Sequence, residues 1–148
     1  MSELKSSWIT KSSANSKPWG DETSWSGAQS ASVKTLSLAE GKRNSFKYNR
    51  TKDEMLICGS GKVKVYYGGE ELLTKDRGDL QVGYLEPGYA LVVQSHCPYR
   101  LEAIEDSIIL EVSSKSENKP SRLHDDYGRE IEKSSDHIQE IIKKWFPS

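Results

Sequence analysis

The chain has 148 residues, a mass of 16.7 kDa and a mean hydropathy of -0.71, which predict one domain with a modest core. Its 21 Lys and Arg residues nearly balance 22 Asp and Glu residues, and this balance argues against a general nucleic-acid partner. No apolar run approaches the roughly 20 residues of a membrane-spanning helix, so we expect no membrane partner. The first residues lack the apolar segment of a secretory signal, and we expect a cytoplasmic protein.

The first predicted segment is an N-terminal arm over residues 1–32, which holds ten serines and three of the four tryptophans. Serine-rich composition is typical of a flexible tail. Trp8, Trp19 and Trp25 indicate contacts instead, because exposed indole rings are costly. We therefore predict an extended arm that wraps the domain or a neighbouring subunit.

The middle of the chain, residues 33–130, is predicted to form short strands followed by a polar strap over 114–130. Apolar Val63, Val65 and Tyr67 alternate with Lys and Tyr neighbours, which is typical of a half-buried strand. Gly68-Gly69 predicts a two-residue hairpin turn into a strand over 70–73. Further strands are predicted at 33–38, 43–49, 55–58, 82–85, 90–93, 99–103 and 107–112. This spacing favours an antiparallel sandwich or barrel.

The last segment, residues 131–148, is predicted to contain one amphipathic α-helix. Apolar side chains recur at helical spacing: Ile138, Ile141, Ile142 and Trp145. Ser134 or Ser135 can cap the first turn. The helix either packs on the barrel or mediates dimerisation, and the pattern leaves both interpretations open.

Cysteine and histidine spacing gives no metal-binding pattern. Cys58 and Cys97 form no disulfide framework, so we expect two buried free thiols. The histidines, His96, His124 and His137, include no pair two or four residues apart, which makes a histidine-rich metal site unexpected.

Two segments resemble the motifs of a known family. The first, residues 41–61, carries a glycine, polar residues at Lys47 and Asn49, Glu54 five residues later, and a closing glycine turn. It resembles the first cupin motif. Residues 85–100, with a proline-glycine turn followed by a strand, resemble the second.

Two further segments narrow the resemblance. Residues 17–20, KPWG, resemble the opening of the isomerase domain of type II mannose-6-phosphate isomerases, enzymes that also carry mannose-1-phosphate guanylyltransferase activity. Residues 122–129, RLHDDYGR, resemble its closing segment. The resemblance covers residues 17–130 and implies an all-β fold of the cupin type, a double-stranded β-helix or jelly-roll barrel. The expected chain is thus an arm, this barrel with its strap, and the C-terminal helix.

The resemblance places the metal ligands of the family at Lys47, Asn49, Glu54 and Tyr99. Of these four positions, only Glu54 carries the residue that the family has there. A protonated lysine is a poor ligand, asparagine binds transition metals weakly, and tyrosine must lose a proton with a pKa of about 10. We therefore predict no metal and no other cofactor, although the family uses a divalent metal. His96, three residues before Tyr99, is the alternative displaced ligand.

Strand periodicity suggests what replaces the metal. It points four side chains to one face: Arg43, Ser45, Lys47 and Asn49. If that face lines the barrel, Lys47 lies at the metal position with Glu54 as its partner, because a buried charge is costly unless paired. This pair is either a structural remnant, or Lys47 and a nearby arginine bind an anion such as a sugar phosphate.

Three functions follow from these observations. The first is a metal-free cupin that binds a sugar phosphate or related small anionic carbohydrate. Its expected ligand-binding residues are Arg43, Asn49, Arg100 and Arg129. The second is an active sugar isomerase such as mannose-6-phosphate isomerase, with catalytic Lys47 supplying positive charge and Glu54 or Tyr99 acting as base. The third is a structural or regulatory scaffold, and in each case barrel edges and the arm predict a homodimer.

Overall fold

The computed structural model describes residues 4–116 and 118–147. Their strands, in chain order, are β1 (Ser13–Lys17), β2 (Gly20–Trp25), β3 (Ala31–Leu38), β4 (Phe46–Tyr48), β5 (Glu54–Ser60), β6 (Val63–Tyr67), β7 (Gln81–Leu85), β8 (Ala90–Val93), β9 (Tyr99–Ala103), β10 (Ser107–Ser114) and β11 (Ser121–His124). A first sheet has the order β1-β2-β3-β10-β5-β8, and a second has the order β11-β4-β9-β6-β7. Every pairing is antiparallel, and the predicted all-β jelly roll is confirmed.

The main core lies between the two sheets. Strand alternation sends Leu56 and Ile109 inward from the first sheet and Val63 and Leu101 inward from the second, and all four are fully buried. Trp19, in the turn between β1 and β2, joins the same core. The barrel therefore closes with the help of residues from the predicted arm.

Two helices lie outside the barrel, α1 (Glu71–Thr74) and α2 (Asp136–Trp145). Ser135 caps α2, because its hydroxyl accepts a 3.3 Å hydrogen bond from the Ile138 amide. Buried Ile138 and Ile141, with Phe146 just after the helix, pack on the outer face of the second sheet in a second core. The apolar face of this helix thus lies on its own barrel. Neither helix in the described residues is long and apolar enough to cross a membrane.

The predicted hairpin at Gly68-Gly69 is wrong. The chain forms α1 instead of a strand over 70–73, and β6 pairs with β7 after a longer loop. Leu72 explains the difference, because it is fully buried in the second core, where Leu80 and α2 also pack. The burial of this one side chain favours a helical turn over the locally favoured hairpin.

The predicted arm is not separate from the barrel. β1 and β2 extend the first sheet, with Trp25 opposite Val33 on β3, so residue 32 marks no structural boundary. Ladder hydrogen bonds hold these serine-rich strands despite their polar composition. Residues 4–12 lie outside the strands, and residues 1–3 of the arm fall outside the described part.

Other predicted elements change in length. The strand predicted over 43–49 is reduced to β4, and the strap over 114–130 contributes β11, which pairs with β4. Asn44 interrupts the strand pattern, because its side-chain oxygen accepts from the Leu101 amide at 2.9 Å.

Both cysteines are free, as expected, but only Cys58 is fully buried, whereas Cys97 is half-buried.

Candidate functional site

A cavity of about 180 Å³ is lined by residues from both sheets and from the strap. Six cationic side chains line it: Lys17, Lys34, Lys47, Lys52, Arg122 and Arg129. Three carboxyl groups join them: Glu22, Glu54 and Glu111. The excess of cations makes the cavity suited to a small anion.

Glu54 is the centre of a hydrogen-bonded cluster in this cavity. It lies at the start of β5, is only 5 % exposed, and accepts a 2.8 Å hydrogen bond from the hydroxyl of Tyr99 on β9. The side-chain amide of Asn49, just after β4, also donates to Glu54. Lys47 is the Cα partner of Tyr99, and its Nζ lies 5.8 Å from the centroid of the tyrosine ring. The structure therefore brings four predicted site residues together.

The charged groups in this cluster shift one another's pKa values. Burial lowers the pKa of Lys47, although the carboxylates of Glu111 and Glu54 oppose that effect. Burial alone would raise the pKa of Glu54, but the Lys47 charge and the Tyr99 hydrogen bond lower it overall. Burial, followed by the Glu54 charge, raises the pKa of Tyr99 well above its usual value. Glu54 is therefore ionised and Tyr99 protonated near neutral pH.

Glu111 is a site residue that our sequence reasoning missed. It lies on β10 opposite Lys34 on β3, is 6 % exposed and lines the same cavity. Burial, followed by the charge of Glu54, raises the pKa of Glu111 to about 7. Strand alternation was the available signal, because Glu111 has the same parity as the buried Ile109.

Two predicted ligand-binding arginines lie elsewhere. Arg100 follows Tyr99 in β9 and therefore points to the opposite side of the sheet, where it is fully buried beneath Phe146. Its Nη2 lies 3.1 Å from Oδ1 of Asp126, and Nη2 of Arg43 donates to the same oxygen at 2.9 Å. Burial, followed by the charge of Arg43, lowers the pKa of Arg100 to about 10. The structure does not bring Arg43 or Arg100 into the cavity.

Arg129 lies at the cavity, whereas His96 lies outside the barrel. Arg129 lines the cavity, and its Nη2 donates to Oδ1 of Asp125 at 2.8 Å. The ring of His96 stacks on Tyr48, with 6.2 Å between centroids, and Tyr48 belongs to the core outside the barrel. His96 therefore lies on the side of β4 opposite Lys47.

The metal that the family resemblance implies does not fit the residues present. Asn49 and Tyr99 each direct a hydrogen-bond donor at Glu54, so an ion held by that carboxylate would compete with both hydrogen bonds. Lys47 adds an ammonium group, which repels a cation. Among residues 4–116 and 118–147, no group of three or more His, Cys, Asp and Glu side chains could hold a metal ion. The absence of a bound metal in the protein stays a prediction.

No protein-family model matches the chain, and no curated protein matches it. Solved structures are similar. KdgF from Halomonas sp. has a TM-score of 0.59 at 15 % identity, over 75 % of this chain and 89 % of that one. The capsular polysaccharide assembling protein CapF from Staphylococcus aureus has a TM-score of 0.55 at 14 % sequence identity, and the match covers 73 % of this chain but 29 % of CapF. A cupin superfamily protein from Desulfitobacterium hafniense has a TM-score of 0.52 at 14 % identity, and the match covers 64 % of this chain and 76 % of that one. Identities this low bear on the fold alone, and together with the two antiparallel sheets they show that this chain has the cupin fold.

Proposed function

We propose that the cavity binds a monosaccharide-sized anion, a sugar phosphate or a related anionic carbohydrate, without a divalent metal. The observation that carries this proposal is a set of cationic side chains that form no ion pair. Lys47, Lys52 and Arg122 line the cavity, and none of them forms an ion pair with another described residue. Buried or half-buried cations of this kind gain most from an anionic ligand.

The remaining cations of the cavity are already engaged. Nζ of Lys34 lies 3.1 Å from Glu22, Lys17 lies 3.9 Å from the same carboxylate, and Arg129 is paired with Asp125. The side chains of Lys17, Lys34 and Glu22 are partly exposed, so their pairs contribute little to stability. They can nevertheless add positive potential around an incoming anion.

One unsatisfied polar atom supports a ligand that accepts hydrogen bonds. Nε of Arg122, which lines the cavity, is buried without a hydrogen-bond partner in the described structure. A phosphate oxygen can accept from this guanidinium group.

The size of the cavity favours a single sugar unit. Its volume of about 180 Å³ is below the roughly 300–1,000 Å³ of pockets for drug-sized ligands. One similar structure is that of a capsular polysaccharide assembling protein, which is compatible with a carbohydrate ligand.

A sugar-phosphate isomerase such as mannose-6-phosphate isomerase is the second candidate. Isomerisation moves a proton between neighbouring carbons, which requires an acceptor and a donor. Ionised Glu54 can accept a proton, and Glu111, with a pKa of about 7, can donate one. Lys47 lies beside them to stabilise negative charge on the substrate oxygen. In the isomerase, Tyr99, whose pKa is raised, stays protonated and positions Glu54 through its hydrogen bond.

A thermal-shift panel tests the binding proposal. Mannose 6-phosphate, fructose 6-phosphate and GDP-mannose are each compared with unphosphorylated mannose. A ligand that binds only the native state raises Tm, so we expect a rise with a phosphorylated sugar and none with mannose. Lys47→Gln should abolish most of that rise. The control Lys62→Gln, at an exposed lysine outside the cavity, should retain it.

Other results would separate the remaining candidates. No shift with any phosphorylated compound contradicts the proposal and favours a scaffold. A coupled isomerase assay tests the second candidate, and a wild-type chain without activity contradicts it. Activity that survives both Glu54→Gln and Glu111→Gln would show that the reaction takes place at another site. Metal analysis tests metal independence, and about one equivalent of zinc, manganese or nickel would contradict it.

A further inference from the structure

The outer face of the first sheet carries a continuous apolar row. Five residues on five strands are Cα partners in succession: Trp25, Val33, Val112, Met55 and Val92. Four of them are exposed, from 36 % at Val33 to 63 % at Val92. The row arises from register, because side chains opposite one another in neighbouring strands share one face.

A second row lies beside the first. Its members are also successive partners, now across all six strands: Ala14, Thr23, Thr35, Leu110, Ile57 and Ala90. Neither row contains a charged side chain, although 29 % of the chain is charged. The two rows therefore form a neutral, mostly apolar band on this face.

The opposite face of the barrel shows the contrast. There α2 covers the outer face of the second sheet with Ile138, Ile141 and Phe146. Within residues 4–116 and 118–147, neither helix packs on the two rows of the first sheet. One outer face is thus covered by the chain itself, and the other is left open.

We propose that this open face is the interface between two copies of the chain, packed sheet on sheet about a two-fold axis. A two-fold interface brings the same surface of each copy together, so charges on that surface would face like charges. Two rows without charge avoid that repulsion. A second copy is therefore the partner that the neutral composition fits.

The area of the face indicates that the N-terminal arm takes part. At strand spacings of about 4.8 Å and row spacings of about 7 Å, six strands and two rows span roughly 400 Å². A stable interface buries about 800 Å² on each partner. Leu4 and Ile9 are almost fully exposed, and Trp8 is 67 % exposed. Trp8 lies against Gly27, two residues after Trp25, so the arm passes close to that end of the first row.

Sedimentation equilibrium of the full chain tests this proposal over about 1–100 µM. We expect a wild-type dimer and a monomeric Met55→Lys/Val92→Lys double variant. The control Val82→Lys alters an exposed valine on β7 of the second sheet and should stay dimeric. Trp8→Ser should weaken the dimer about tenfold or more, since it removes a large apolar contact. Lys47→Gln should leave it unchanged, which separates this interface from the ligand site.

Circular dichroism shows whether each variant folds. If the double variant does not fold, Val92→Thr, which keeps the side-chain shape, should still weaken the dimer measurably. A wild-type chain that is monomeric over the whole range overturns the proposal. A folded double variant that remains dimeric overturns it too, because the interface must then lie on another surface.

Discussion

The hydroxyl of Tyr99 donates a 2.8 Å hydrogen bond to Oε1 of Glu54, and both side chains are buried inside the barrel. A buried carboxylate is costly unless it is paired and hydrogen-bonded. Asn49 supplies a second donor, and the charge of Lys47 lowers the pKa of Glu54 further. Glu54 thus stays ionised in the barrel interior, which keeps an acceptor available beside the cavity.

Replacing Tyr99 with phenylalanine removes the donor and keeps the ring. We expect a loss of about 1.5–3 kcal/mol in the free energy of unfolding, the range for a hydrogen bond to a charged group. Urea unfolding at pH 7 measures it. Tyr84→Phe, at a half-exposed tyrosine, should change stability little. Equal effects of the two substitutions would contradict the role of the Tyr99 hydroxyl.

Glu111 predicts a dependence of stability on pH. Its pKa is about 7 in the folded protein and near 4.5 in the unfolded chain, so between these values only the folded state holds the proton. The free energy of unfolding should therefore fall as pH rises from about 4.5 to 7, by up to about 3 kcal/mol. Urea unfolding of wild type and Glu111→Gln at pH 5 and pH 8 measures the difference.

The comparison with Glu111→Gln is needed because His124 acts in the opposite direction. Burial, followed by the Arg100 charge, lowers the pKa of His124, so its contribution to stability increases as pH rises. His124 is present in both proteins and cancels in the difference between them. An identical pH dependence in wild type and variant would refute the assignment to Glu111.

Lys47→Met should move this transition to higher pH. The ammonium of Lys47 lowers the pKa of Glu111, and a neutral side chain of similar length removes that effect. The upper end of the Glu111-dependent fall in stability should then lie above pH 7. Lys64→Met, at a lysine that does not line the cavity, is the control and should leave that upper end in place. An upper end unchanged in Lys47→Met would mean that the two groups are not coupled.

Phe146→Ala tests how strongly the C-terminal segment is held. The ring is 1 % exposed and lies 5.1 Å from Phe46 and 5.0 Å from Tyr66 between centroids. We expect a loss of about 3–5 kcal/mol in chemical denaturation, the cost of truncating a buried aromatic side chain. Exposed Glu140→Ala on the same helix serves as control. A loss below about 1 kcal/mol would contradict tight packing of this segment.

Some strands could be located from the sequence because their signals are local. The bounds predicted for β8 and β9, 90–93 and 99–103, agree with the structure. The bounds predicted for the strand over 43–49 do not agree, because Asn44 is held by the backbone of Leu101, which lies far along the chain. Alternation shows which residues share a face only within a continuous strand, and this strand begins at Phe46.

The candidate site divides in the same way. The resemblance to two cupin motifs is what pointed to Lys47, Asn49, Glu54 and Tyr99, and their side chains cluster in the structure. Their roles, and that of Arg129, stay predictions. Glu111 was missed because its importance comes from strand pairing, which sets it opposite Lys34 and beside the carboxylate of Glu54.

By itself, the sequence determined the all-β class and the amphipathic C-terminal helix, since each depends on residue identity and short-range periodicity. Only the tertiary structure decided which charges share a cavity, that Arg43 and Arg100 lie outside it, and that neither helix of the described residues covers the outer face of the first sheet. The reason is that sheet register joins residues from distant parts of the chain, and register depends on the packing of the whole barrel.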